Sequence, residues 1–302
     1  MPSRSPAVEA FGRVLTAMVT PFTASGDLDL DAAQRLAAHL VDAGNDGLVV
    51  SGTTGESPTT TDGEKERLVR AVVEAVGDRA RVVAGAGSND THHTIELARA
   101  AEKAGAHALL LVTPYYNKPP QEGLARHFEA AADATGLPVM LYDIPGRTAT
   151  PIEPETLVRL AAHERIIAVK DAKGDLTAGS EVMARTDLAF YSGDDPLNLA
   201  WLTHGGVGVV SVVGHVAAGR YAEMVQAVDG GDLETAIRIH RELLPVVRAI
   251  MTKSSQGAIM AKAALHAQGV IPTRTTRPPL IDATDDQVAE LRTALESAGV
   301  AL

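Results

Sequence analysis

A beat of short aliphatic runs alternating with amphipathic stretches repeats eight times along most of the chain, and it limits the fold more than any other feature. The candidate strands are Val14–Thr20, Gly47–Ser51, Arg81–Gly85, Ala108–Thr113, Pro138–Tyr142, Ile166–Lys170, Leu188–Ser192 and Gly208–Ser211. Helical periodicity fills the intervals at Leu30–Ala43, Asp62–Val76, Thr91–Lys103, Gln121–Thr135, Pro154–His163, Leu176–Arg185 and Pro196–His204, with an eighth helix at Ala217–Val228. Strands alternating with helical patterns of about 10–15 residues mark βα units on a parallel sheet.

Eight such units are the count for a closed (β/α)8 TIM barrel. The rival, a doubly wound open sheet, wants a glycine-rich turn after its first strand, and Thr20-Pro21-Phe22 supplies none. Residues 1–231 are therefore expected to form the barrel and 232–302 a helical extension. Three helices are expected there, at Asp232–Met251, Gln256–Gln268 and Asp285–Ala298, with Pro272, Pro278 and Pro279 breaking the stretch before the last.

The net charge of −11 comes without a basic block, so no surface is evident that would neutralise nucleic-acid phosphates. No stretch reaches the roughly 18 apolar residues of a membrane span, and the start of the chain lacks a signal-peptide run. Cysteine is absent, which removes disulfides, thiol nucleophiles and thiolate metal sites. A soluble, cytoplasmic enzyme is the expectation.

In a TIM barrel the chemistry sits where the strands end. Alternation along Ile166–Lys170 puts Ile166, Ala168 and Lys170 on the barrel-facing side, with Ile167 and Val169 under the helices. A lysine buried there loses solvation of its cation, and the freed lone pair suits Schiff-base formation with a ketone. The competing reading is a structural lysine paired with Asp171 or Asp194. Lys65, Lys103, Lys118, Lys173, Lys253 and Lys262 fall in expected helices or loops and read as solvated.

Tyr142 closes the neighbouring strand on the face of Met140 and is either a proton-passing group or a rim packing residue. Gly52-Thr53-Thr54-Gly55-Glu56 offers N–H and O–H donors for a small carboxylate, or is an ordinary turn. Arg147, after the rigid Pro145-Gly146, can aim a guanidinium at a second carboxylate or form a surface ion pair. His92 and His93 open a helix and point in different directions, so they make a poor metal pair. Asp194 and Asp195 stand where many barrels hold phosphate, which disfavours a phosphorylated substrate.

Taken in order, Gly-Thr-Thr-Gly-Glu-Ser at 52–57, Pro-Tyr-Tyr-Asn at 114–117, Tyr-Asp-Ile-Pro-Gly-Arg at 142–147, Lys170 and Ser-Gly-Asp-Asp at 192–195 resemble the dihydrodipicolinate synthase family. That family lies within the pyruvate-dependent class I aldolases, and the chain looks most like actinobacterial members. The resemblance implies that Lys170 condenses with pyruvate and that Tyr142, hydrogen-bonded to Thr53, relays protons. It implies that Tyr116 completes the relay from a neighbouring subunit of a homotetramer built as a dimer of dimers. Thr53 and Thr54 would hold the pyruvate carboxylate, Arg147 that of L-aspartate-4-semialdehyde, and Gly193 and Val210 would contribute pocket backbone. The enamine then attacks the aldehyde, the adduct cyclises and Lys170 is released, with no cofactor or metal beyond the covalent imine.

Thr53-Thr54 together with Arg147 favours this activity over sialic-acid or 2-keto-3-deoxy sugar-acid lyases on the same scaffold. A non-catalytic keto-acid-binding barrel has no need of a nucleophile. Lysine-inhibited relatives use His and Glu side chains where this chain has Asp62, Lys65 and His93, so weak or absent feedback by lysine is expected.

Overall fold

The computed structural model describes residues 5–252 and 256–301. A short helix, α1 (Pro6–Phe11), precedes the first strand, β1 (Val14–Ala17). The next units are α2 (Leu30–Asp42), β2 (Gly47–Val50), α3 (Asp62–Val76), β3 (Arg81–Gly85), α4 (Thr91–Lys103), β4 (Ala108–Val112) and α5 (Gln121–Asp133). Then come β5 (Val139–Asp143), two short helices α6 (Pro145–Thr148) and α7 (Pro154–Leu160), β6 (Ile166–Asp171) and α8 (Leu176–Met183). The barrel ends with β7 (Ala189–Ser192), α9 (Asn198–Thr203), β8 (Gly208–Ser211) and α10 (Gly214–Asp229). Helices α11 (Leu233–Ile250), α12 (Gly257–Ala267) and α13 (Asp285–Ser297) follow. None of the helices is long and apolar enough to cross a membrane among the described residues.

All eight strands pair in parallel and in sequence order, and β1 closes the ring on β8 with Leu15 opposite Val210. The expected (β/α)8 barrel is therefore present. Its helices begin where side chains cap them: Asp29, Asp90 and Asp175 each accept from first-turn backbone N–H groups, and Thr61 and Glu64 form a reciprocal capping box.

The strands are buried on both faces, as a parallel barrel requires. Leu48, Val50, Val82, Leu109, Leu111, Leu141 and Val169 pack outward beneath the helices. Leu15, Val49, Val83, Leu110, Met140, Tyr142, Ala168, Tyr191 and Val210 fill the interior. Helix α1, which sequence periodicity misses because it is barely two turns long, contributes Ala7 and Phe11 to that interior cluster. Tyr191 packs edge-on to Phe11 and donates its hydroxyl to the carbonyl of Gly12 at 2.8 Å.

One expectation fails inside β6. Val139 pairs with Ile166 but Met140 pairs with Ala168, so Ile167 is an extra residue on that strand. Such a bulge breaks the period-2 alternation locally. Ile166 joins the outer cluster and Ile167 packs against the inner one, the reverse of the simple alternation. Above the bulge the expected order resumes, with Tyr142 opposite Lys170 and Tyr191 on Lys170's other side.

The three C-terminal helices have no core to themselves. α11, α12 and α13 share a cluster with Val14 of β1, Val209 of β8 and α10. Ala258, Ala261 and Leu265 of α12 also join the main layer between strands and helices.

Candidate active site

Lys170 is almost completely buried at the top of β6, and its Nζ lies 4.0 Å from the centroid of the Tyr142 ring. Burial pushes its pKa down to about 8; Asp195 and Asp194 pull it up, and Arg147 lowers it further. No carboxylate lies within ion-pair distance of Lys170 among the described residues, so the structural pairing with Asp171 or Asp194 is not formed. Asp171 instead accepts the N–H groups of Gly174 at 2.7 Å and Lys173 at 3.1 Å, which shapes the loop after β6.

Tyr142 is equally buried, and desolvation pushes its phenol up to about 12 against the opposing influence of Arg147. The Thr53 side chain stands beside that phenol on the cavity wall and pulls its pKa back slightly. At neutral pH this places a protonated hydroxyl beside an amine that sheds its proton easily.

Gly193 has a steric reason to be glycine. A Cβ there would sit 2.8 Å from Lys170 Cγ and 3.0 Å from Lys170 Cε. Its N–H donates to the carbonyl of Asp171 at 2.7 Å, holding the end of β7 against β6.

Thr53, Thr54, Tyr142, Arg147, Lys170 and Gly193 line one cavity of about 450 Å³ at the C-terminal end of the barrel. Six residues from the ends of four strands, β2, β5, β6 and β7, and the segments just after them thus converge on one space. Arg147, on α6, is exposed and makes no ion pair among the described residues, so the surface-bridge reading does not hold. Val210 is not on the wall; it packs in the barrel interior, and Val212 reaches the cavity instead. Tyr116 is also not on the wall: it is 89% exposed, with a left-handed backbone at φ 75°.

The cavity has members that sequence reasoning passed over. Met251, Gln256 and Gly257 bring the C-terminal extension to its rim. Gln256 caps α12 and its amide donates to the carbonyl of Thr53 at 3.4 Å. No local pattern distinguishes this glutamine from any other helix cap.

Lys262 corrects the view that the other lysines are solvated. It is fully buried on α12, donates to Glu56 at 2.5 Å and to the carbonyl of Thr275 at 2.7 Å, and lies over the Phe22 ring. Glu56 adopts a left-handed backbone at φ 56° and also accepts from the N–H of Arg277 at 2.9 Å. Lys65 and Lys173 are largely covered too, the latter 3.0 Å from Asp143, whereas Lys103 and Lys118 are exposed; Lys253 lies outside the described residues.

Asp195 and Asp194 are not equivalent. Asp195 is buried and accepts from the hydroxyl of Ser211, the N–H groups of Val212 at 2.9 Å and Val213 at 3.1 Å, and the Asn198 amide at 3.0 Å. Asp194 is half-buried on the cavity wall.

His93 reaches Asp62 at 2.9 Å while His92 turns toward Glu96 at 3.6 Å, the divergence expected of adjacent helical residues. Lys65 stands 3.5 Å from Asp62, so Asp62, Lys65 and His93 form one surface group. No cluster of side chains suited to a metal occurs among the described residues. A cavity of about 490 Å³ at the opposite end of the barrel has its arginines occupied: Arg13 pairs with Asp229, and Arg79 with Asp42 at 2.7 Å.

Residues 10–298 match the model of the dihydrodipicolinate synthetase family. The chain belongs to that family. A 4-hydroxy-tetrahydrodipicolinate synthase of Kineococcus radiotolerans is 66% identical over 96% of this chain and 94% of that protein. A second, from Streptomyces coelicolor, is 63% identical over 97% of each. Among solved structures, a dihydrodipicolinate synthase of Cyanidioschyzon merolae with lysine bound superposes with a TM-score of 0.93 at 44% identity, covering 97% of this chain and 99% of that one. The dihydrodipicolinate synthase resemblance, including its actinobacterial character, thus holds over nearly the whole chain.

Proposed function

We propose that the chain condenses pyruvate with L-aspartate-4-semialdehyde to give 4-hydroxy-tetrahydrodipicolinate, through an imine on Lys170. One observation carries the reading: a buried lysine with its pKa near 8, held over Tyr142, opens into a cavity that also presents Thr53, Thr54 and Arg147.

The donors of the Thr53-Thr54 turn receive the pyruvate carboxylate, which turns C2 toward Lys170. The neutral amine attacks C2, and the carbonyl electron pair moves to oxygen, which takes a proton from Tyr142. The extra proton on nitrogen returns through Tyr142 to that hydroxyl, and the nitrogen lone pair forms the C=N bond as the hydroxyl leaves as water. The Tyr142 phenolate takes the C3 proton to give the enamine, whose carbon attacks the aldehyde, and Tyr142 returns the proton to the aldehyde oxygen as it becomes a hydroxyl. The α-amine of the second substrate closes on C2 and displaces Lys170 as free amine. The protonated imine is the electron sink throughout, so the scheme uses neither metal nor organic cofactor.

Burial of Tyr142 favours its protonated form, which suits a donor to the leaving oxygen. Tyr116 completes this relay from a neighbouring subunit in a homotetramer of paired dimers; its exposure, its backbone at φ 75° and the adjoining exposed Tyr115 suit a surface that a second copy covers. Sedimentation velocity reporting a monomer at assay concentration would remove that part. Feedback by L-lysine is weak or absent, because Lys65 places a cation among Asp62 and His93.

Borohydride reduction in the presence of pyruvate, followed by peptide mass mapping, tests the core of the proposal. The expected result is a reduced pyruvate adduct on Lys170. Folded protein with no adduct there ends the Schiff-base reading. An adduct without turnover of aspartate semialdehyde turns the assignment to another pyruvate aldolase.

A further inference from the structure

Asp195 brings a carboxylate into the interior with no cation beside it. Its Oδ1 accepts from the Asn198 amide at 3.0 Å and from the Ser211 hydroxyl. Its Oδ2 accepts from the N–H groups of Val212 at 2.9 Å and Val213 at 3.1 Å. No lysine, arginine or histidine stands within ion-pair distance of it among the described residues. A buried charge without an ion partner is costly, so the fold needs a reason to keep one there.

Tying the loop after β7 to the loop after β8 is not reason enough. A neutral asparagine at 195 can serve the same network, its carbonyl oxygen taking the two backbone N–H groups. Its amide then faces the Ser211 oxygen and the Asn198 side chain, whose own amide turns over to present its carbonyl oxygen. That Asn198 oxygen is buried and has no partner as it stands. The tie needs an acceptor on one side only, and the charge is surplus to it.

Lys170 supplies the reason. Lys170 and Asp171 of β6 lie opposite Tyr191 and Ser192 of β7, and a Cβ on Gly193 would strike Lys170 Cγ and Cε. The lysine stem therefore runs across Gly193, at the foot of the turn that carries Asp194 and Asp195. The ionisable groups facing the amine are Tyr142, Arg147, Asp194 and Asp195. Asp195 pulls its pKa up more than Asp194 does, although only Asp194 stands on the cavity wall. Water screens the half-buried Asp194, whereas the buried Asp195 acts through protein. On its far side Asp195 faces the phenol of Tyr221 on α10, which burial keeps protonated, so no positive charge answers it from there. A carboxylate in contact would hold Lys170 as an ammonium and silence it. One set behind Gly193 leaves the amine free to lose its proton.

Resting on the imine chemistry proposed above, we infer that Asp195 is the fixed counter-charge of the protonated imine on Lys170, set back from the substrate and shielded from water. It touches no reacting atom and is a positioning residue, acting through the nitrogen of Lys170. That nitrogen is cationic in the protonated imine, and an anion already in place stabilises it with no solvent to reorganise.

Timed borohydride trapping with pyruvate, followed across about pH 6 to 9, reads the charge. In Asp195→Asn the rising limb of the profile should move about one pH unit lower, because the amine gives up its proton more easily. Its kcat on the wild-type plateau should fall about tenfold, with the KM for pyruvate little changed. Ser211→Ala loosens the same tie and keeps the charge, so its rising limb should stay where the wild type has it. A limb that does not move in Asp195→Asn, or that moves equally in both variants, would overturn the inference and leave the imine reading standing. An Asp195→Asn chain that fails to fold would do the same, since the charge would then be a structural requirement. Wild-type enzyme with no adduct on Lys170 would overturn both.

Discussion

Lys170 illustrates how a single position can oppose stability and serve chemistry. Its pKa in the fold lies below its ordinary value, so at neutral pH the unfolded chain binds a proton that the folded chain resists. Folding is therefore penalised below about 8, and the penalty fades as the pH rises toward the ordinary lysine value near 10.5. Holding the amine near 8 corresponds to about 3 kcal/mol. Lys170→Met should accordingly raise the thermal midpoint in calorimetry while abolishing the borohydride adduct. Imine formation needs the neutral amine, so its rate should climb between pH 7 and 8.5 and level off above, as read by timed trapping. A flat profile across that range would contradict the depressed pKa. Lys170 was legible because strand alternation says which way a side chain points. Lys262 was not, since its partner Glu56 lies 206 positions away and only the fold joins them.

At the scale of elements, the turn after β2, proposed to receive the pyruvate carboxylate, is held by distant parts of the chain, α12 among them. Glu56 anchors the turn through Lys262 and the N–H of Arg277, and Gln256 at the start of the same helix reaches the carbonyl of Thr53. Removing one member of a buried pair strands the other, at a cost of about 3 kcal/mol or more. Lys262→Met should show that loss in urea denaturation and should raise the KM for pyruvate more than it lowers kcat. Glu56→Gln combined with Lys262→Met should recover much of the stability but not the affinity. If affinity returned with stability, the pair would have no role in shaping the cradle. Sequence reasoning located the Gly52–Ser57 turn, but a capping glutamine and a helical lysine carry no local mark of such a task.

Across the whole molecule, eight repeats of the βα beat were enough to specify the barrel, because hydrophobic periodicity reports on each unit separately. What escaped was whatever the closed ring creates only once it exists. Helix α1 plugging the lower interior, and Met251 with Gln256 on the upper cavity rim, are such features. Regulation belongs to this scale too. The group formed by Asp62, Lys65 and His93 joins α3 to α4 on the outside of the barrel. With Lys65 repelling an ammonium, L-lysine at millimolar concentration should leave initial rates nearly unchanged. A micromolar inhibition constant would contradict the reading.

The bulge at Ile167 separates what happens below it from what happens above. It works as a reservoir of slack, one residue of chain that the pairing does not use. Deleting Ile167 would align Ile166 and Ala168 as consecutive residues against Val139 and Met140, and Lys170 would still face Tyr142. Deleting Val169 as well would turn Lys170 out of the barrel, because with the slack already used every side chain past the missing residue changes face. The first deletion should keep the trapped adduct at some cost in stability, and the second should lose it altogether. The length of chain leading into β6 is thus free to drift by one residue without moving the reactive amine.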